Sequence, residues 1–263
     1  MGTVISVTSG KGGTGKTSIT GGVAASLALQ GRSVLCIDMD VGLRNLDISL
    51  GLSDRALMDF SDVALGRCPL ARAAVTHPDL KGLALLTAPM SLPASLTADK
   101  VRAMLHTARA AYDYVLIDSP AGLGPGFRLA ICGADRALVV ATNDASSLRD
   151  AQRTVTELSG IRQVHLVMNR IQPKLLRRLR TTIDDAMNTA GLPLIGVVPE
   201  DPQVILCANL GLPLTSRGAA RGGPGLLEHR HAPGGGQRSR DAYPIIQTQC
   251  GPRPAVRRLY KRR

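Results

Sequence analysis

Aromatic side chains are nearly absent: two Phe, four Tyr and no Trp make up 2% of the 263 residues. Any core must therefore be aliphatic, and a hydrophobic fraction of 44% is ample for one. No apolar run approaches the roughly 18 residues that a transmembrane helix needs. The N-terminus enters an apolar strand directly and lacks the charged and apolar regions of a secretory signal. The five cysteines, Cys36, Cys68, Cys132, Cys207 and Cys250, are scattered, odd in number and without metal-ligand spacing. The spacing favours buried thiols in a reducing cytosol. Acidic residues are also few, 20 against 32 Lys and Arg, for a net charge of +12. Such an excess points to nucleic acid or an anionic membrane. Residues 219–263 carry +8 of it, however, and residues 1–218 only +4, so the basicity belongs mainly to the tail. The length suits one α/β domain, with or without a tail.

The organising stretch is Ser9-Gly10-Lys11-Gly12-Gly13-Thr14-Gly15-Lys16-Thr17-Ser18. It follows the apolar run Val4–Val7 and precedes an Ala- and Leu-rich segment, which gives strand, glycine loop, helix. Counted from Gly10, the spacing matches G-x-x-x-x-G-K-[ST], a phosphate-binding loop. Glycines there let backbone N–H groups approach a polyphosphate, and the helix start adds its positive dipole end. Lys16 is placed to reach the β- and γ-phosphates of ATP, and the Thr17 hydroxyl to ligate Mg²⁺. Lys11 is a second lysine that a plain phosphate loop does not need. A lysine there can instead reach a phosphate held by a second subunit.

Further on, near-continuous apolar strands alternate with helical segments. Strands are expected over 3–8, 33–38, 83–87, 112–118, 136–142, 163–169 and 194–198. Helices are expected over 18–30, 54–65, 98–111 and 203–209. This pattern predicts an α/β fold, a mostly parallel twisted sheet covered by helices on both faces. Ligands then sit at the carboxyl ends of the strands. Asp38, Asp40 and Asp118 all lie at such ends. Paired carboxylates beside a phosphate loop suit Mg²⁺ and the attacking water, which the spacing favours over a capped turn with solvated acids. Asp118 after an apolar strand is the Walker B arrangement. Ser146 or Ser147 is expected to cap a helix. Residues 173–180 (P-K-L-L-R-R-L-R) read as a basic amphipathic turn with Leu175, Leu176 and Leu179 buried; anion binding is the other reading.

Several of these runs carry a resemblance. K-G-G-x-G-K-T resembles the deviant Walker A motif of the ParA/MinD ATPases, whose members sandwich two ATP molecules between two subunits. The run from Asp38 to Asp47, D-M-D-V-G-L-R-N-L-D, resembles the MinD branch, as do D-S-P-A-G from Asp118 and the segment from Thr142 to Asp150. The resemblance covers residues 2 to about 221. It implies a P-loop NTPase that hydrolyses ATP to ADP and phosphate and helps to position the division septum. Asp40 is implied as the switch acid that positions water, with Asp38 supporting the metal shell and Asp118 holding Mg²⁺. Asn45 would face the partner subunit, and Gly122 would let the backbone approach the γ-phosphate. Asn169, Arg170 and the loop Pro199-Glu200-Asp201 match positions around the adenine. The implied partners are a second copy of the chain when ATP is bound, a MinC-like division inhibitor, a MinE-like regulator, and an anionic membrane surface on a cytoplasmic protein. Nucleic acid is not expected.

After Arg221 the pattern stops. Residues 222–263 are rich in Gly, Pro and Arg, where the family carries a terminal helix and a membrane-binding segment. With G+C-rich codons, a one-nucleotide shift over Pro224–Gly235 gives RAYWNIATRLA, an amphipathic helix of the family's terminal type. A reading-frame error is thus one expectation; a disordered basic tail and a different anchor are the others. Two rival functions remain at this stage. A flagellar-number regulator shares the glycine loop and G-L-x-N-L-D, but such proteins often have an N-terminal extension for which Met1-Gly2 leaves no room. A DNA-partitioning ATPase suits the basic tail but not the absence of Asp-Pro-Gln after the first acid.

Overall fold

The computed structural model describes residues 1–214; the expected tail 222–263, its reading frame and the end of the 1–221 domain lie outside them. Chain order starts with β1 (Thr3–Thr8), α1 (Lys16–Leu29), β2 (Val34–Asp38), α2 (Leu46–Leu50), α3 (Phe60–Ala64) and α4 (Leu70–Ala73). It continues with β3 (Val75–Thr76), β4 (Leu83–Leu86), α5 (Ala98–Ala111), β5 (Tyr114–Asp118), α6 (Pro125–Ile131) and β6 (Arg136–Ala141). The last described elements are α7 (Ala145–Glu157), β7 (Gln163–Ile171), α8 (Pro173–Leu179), α9 (Ile183–Ala190), β8 (Leu194–Pro199) and α10 (Pro202–Asn209).

The strands form one sheet in the order β3-β4-β2-β5-β1-β6-β7-β8, parallel except for the short antiparallel β3–β4 pair. Successive side chains on a strand point to opposite faces, so a strand covered on both sides must be apolar throughout. On one face Ile5, Val7, Val34 and Cys36 pack with Ile19, Ala24 and Leu27 of α1. On the other, Val4, Leu35, Ile37 and Ile117 pack with Val101, Met104, Leu105 and Ala108 of α5. The core is aliphatic as expected; both phenylalanines, Phe60 and Phe127, are fully buried within it. Small residues let helices approach closely: a Cβ on Gly21 of α1 would lie 3.1 Å from Ser49 Oγ of α2.

Several local expectations need correction. The helix expected over 54–65 is confined to Phe60–Ala64, because Asp59 and Asp62 form a capping box that starts it there and Asp54 has φ +60°. The cap of α7 is Asp144, which accepts from the Ser147 N–H at 2.9 Å; Ser146 and Ser147 are not the cap. On α8 only Leu176 packs against the core, while Leu175 and Leu179 are 41% and 51% exposed. Cys36, Cys68 and Cys132 are free thiols, the first two buried. No helix among the described residues is long and apolar enough to cross a membrane.

Candidate functional site

β1 lies in the middle of the sheet, between β5 and β6, and its end delivers the glycine loop to the carboxyl edge. Gly15 occupies the cap position of α1 with φ +92°, a left-handed conformation that a side chain disfavours. A Cβ there would also lie 2.3 Å from Asn169 Nδ2. Thus the loop glycine is required by its own neighbour as well as by any phosphate. Lys16 opens α1 and is buried, with Nζ donating to Ser9 Oγ at 3.0 Å. Burial lowers its pKa, while the nearby Asp118 and Asp40 oppose that shift. An anion delivered to Lys16 would restore its preference for the charged form.

The two strand-end acids are brought side by side by the sheet itself. Asp38 and Asp118 are register partners across β2 and β5, and both are buried. Burial pushes Asp118 up to about 7, with Asp38 adding to the rise and Thr17 and Lys16 working against it. Thr17 hydrogen-bonds the Asp118 carboxylate, and Thr20 Oγ1 donates to its Oδ1 at 3.4 Å. Burial likewise raises Asp38 to about 6, despite two backbone hydrogen bonds that favour its charge. Its Oδ1 accepts from the Asp40 N–H at 2.9 Å and its Oδ2 from the Leu46 N–H at 3.1 Å. Asp40 is half-buried and its pKa is raised by burial, with Lys16 pulling it back.

This arrangement fits a magnesium nucleotide. Two buried carboxylates at adjacent strand ends are pushed toward their neutral forms, so a cation between them and the loop would be welcome. Among the described residues no cluster of three or more His, Cys, Asp or Glu could cage a metal alone. Mg²⁺ characteristically takes one or two carboxylates and completes its shell with substrate phosphates and water. Thr17, Asp118 and Asp38 are the residues that could supply its protein oxygens.

Lys11 does not project freely. Its Nζ donates to Ser146 Oγ at 2.8 Å and to Asp144 Oδ1 at 3.4 Å, at the start of α7. Although burial alone would raise it, the Asp144 carboxyl is held well below the usual range by bonds from Ser146, Thr142, the Ser147 N–H and Lys11. Asn45 occupies the N-cap position of α2 without a side-chain capping bond, and Gly122 adopts φ +82° with open space where a Cβ would be.

The expected adenine residues share one cavity of about 710 Å³. Gly15 and Ser18 line it together with Asn169, Arg170 and Pro199-Glu200-Asp201. Asn169 Nδ2 donates to the Thr14 carbonyl at 2.7 Å, which ties the base side to the glycine loop. Asp201 accepts from the Gln203 N–H at 2.8 Å and so caps α10. The structure places Lys16, Thr17, Asp38, Asp40 and Asp118 near one another and Asn169, Arg170 and residues 199–201 on one cavity, while Lys11, Gly12, Gly13 and Thr14 line a second cavity with Asp144. It adds three that were missed: Ser9, the partner of Lys16; Thr20, a donor to Asp118; and Asp144, the partner of Lys11. Thr20 lies one helical turn from Lys16, a spacing that would have pointed to it.

Comparison with known proteins agrees with this geometry. The family model described as the CobQ/CobB/MinD/ParA nucleotide binding domain matches residues 5–214. The septum site-determining protein MinD of Helicobacter pylori is 40% identical over 225 residues, covering 81% of this chain and 84% of that protein. Among solved structures, the MinC:MinD cell division protein complex of Aquifex aeolicus matches with a TM-score of 0.74 at 37% identity, covering 80% of this chain and 87% of that one. MinD complexed with Mg-ADP from Pyrococcus horikoshii matches with a TM-score of 0.70 at 29% identity, covering 81% and 87%. The chain belongs to the CobQ/CobB/MinD/ParA nucleotide-binding family and, within it, to the MinD ATPases.

Proposed function

We propose that the chain is an ATP-driven switch that helps to place the division septum, paired with a second copy while ATP is bound. The observation that carries this is the meeting of Lys16, Thr17, Asp118 and Asp38 at the carboxyl ends of the central strands. Lys16 and the loop N–H groups, Gly10 through Ser18, would hold the phosphates and stabilise charge on the transferring phosphoryl group. Thr17 and Asp118, with Asp38 in support, would hold Mg²⁺, whose chemistry there would be charge neutralisation. Asp40 would orient the attacking water; hydrolysis yields ADP and phosphate. Asn169, Arg170 and residues 199–201 would bound the adenine.

Lys11 would leave Asp144 and Ser146 to reach a phosphate of the second subunit. Its release would alter the start of α7, a surface suited to a MinC-like or MinE-like partner. Membrane association on an anionic surface belongs to the same reading. The test is light-scattering mass measurement with Mg²⁺ and a non-hydrolysable ATP analogue or ADP. The wild-type chain should pair with the analogue only, and Lys11→Ala should bind the analogue yet stay single. A wild-type chain that binds the analogue and remains single would overturn the switch.

A further inference from the structure

The short helix α8 follows the adenine-side residues immediately, with Pro173 at its first position. Lys174 and Arg177 are spaced i, i+3 and therefore share a face. Both line the same cavity as Gly15, Ser18 and Asn169. Leu175 and Leu179 point elsewhere, into a second cavity beside Lys11. Leu176 packs inward. The three faces of α8 are thus committed differently, and the cationic one belongs to the nucleotide cavity.

Neither cation forms an ion pair with a carboxylate among the described residues. The two acids that line the cavity are already engaged. Glu200 is hydrogen-bonded by Gln172, and Asp201 caps α10. The cavity carries three cations, Arg170, Lys174 and Arg177, against two carboxylates, and with Lys174 and Arg177 paired to neither it suits an electron-rich, anionic ligand.

The geometry points to Lys174 and Arg177 as further nucleotide-binding residues, which close over the base and ribose of the bound adenine nucleotide and slow its release. This rests on the nucleotide site proposed above. A guanidinium suits the task because it stacks on a π face and donates in its own plane. A lysine supplies a mobile donor for ribose or ring acceptors.

The test is calorimetric titration of the full chain with Mg-ADP, with displacement kinetics for release. Lys174→Ala/Arg177→Ala should weaken Mg-ADP about five- to tenfold, chiefly through faster release. Arg178→Ala, on the same helix but outside the cavity, should match wild type. Arg177→Lys should recover only part of the loss, since it keeps charge without the planar stack. Unchanged thermal melting of each variant would show that α8 is still folded. Equal affinity of the double variant and wild type would overturn the α8 assignment alone. Equal losses in the double variant and Arg178→Ala would reduce it to net charge and overturn it too. No Mg-ADP binding by wild type would overturn the underlying site.

Discussion

Replacing Gly15 by alanine probes whether the phosphate loop and the base side are one mechanical unit. The left-handed backbone at Gly15 costs a residue with a Cβ about 1–2 kcal/mol. The new methyl would also lie 2.3 Å from Asn169 Nδ2, so the amide must leave its bond to the Thr14 carbonyl. Asn169 is only 6% exposed, and losing a buried hydrogen bond costs about 1–3 kcal/mol. The sum is about 2–5 kcal/mol. For a folded unit of this size each kcal/mol shifts the melting temperature by about 2–4 °C, so a fall on the order of 10 °C is expected. Thermal melting of the ligand-free chain reads this without involving nucleotide. The double variant Gly15→Ala/Asn169→Ala separates the two contributions. Deleting the amide removes the clash but leaves the backbone strain, so the double variant should lose less than the two singles together. Strict additivity, or a Gly15→Ala melt within about 1 °C of wild type, would refute the coupling.

Lys16→Ala should weaken Mg-ATP on the order of 100-fold, since it deletes charge-assisted contacts to two phosphates; calorimetry measures it, and unchanged affinity would remove Lys16 from the site. Asp40→Ala should leave nucleotide affinity within about threefold but cut phosphate release by roughly 100-fold or more, and turnover at the wild-type rate would deny Asp40 its role. Asp118, raised to about 7 by burial, is harder to ionise in the fold than in the unfolded chain. The ligand-free chain should therefore lose stability as pH rises from about 4 through 7, and Asp118→Asn should flatten the upper part of that slope. Melting that improves between pH 6 and pH 8 in the wild type would contradict this.

Local chemistry was legible in the sequence, and non-local geometry was not. The glycine loop announces itself because strand, turn and helix start lie within one short run. Strands such as Val34–Asp38 and Arg136–Ala141 are readable because burial on both faces makes them continuously apolar. The pairing of Asp38 with Asp118 depends on strand order, which no local pattern contains. The cap of α7 was misplaced because Asp144, Ser146 and Ser147 all have suitable chemistry and only the turn geometry chooses among them. Periodicity identified an apolar side to α8 but not whether anything covers it, and Leu175 and Leu179 proved exposed. A two-residue strand such as β3 is too short to show a period at all. Adenine-side residues came from likeness to relatives rather than from residue chemistry. Asn169 explains why: its role is to meet a loop 155 positions away.

Asp38 grips both ends of the segment that carries Asp40, one oxygen on the Asp40 amide and the other on the Leu46 amide. Between those ends the segment is held to the rest of the fold by the Gly42 N–H on the Pro89 carbonyl and Arg44 Nε on Thr87 Oγ1. Neutralising Asp38 with a proton, or turning one oxygen into an amide donor, would loosen both ends of the span together. Because Asp38 also stands beside Asp118, a change of charge there is felt at the backbone of Asp40.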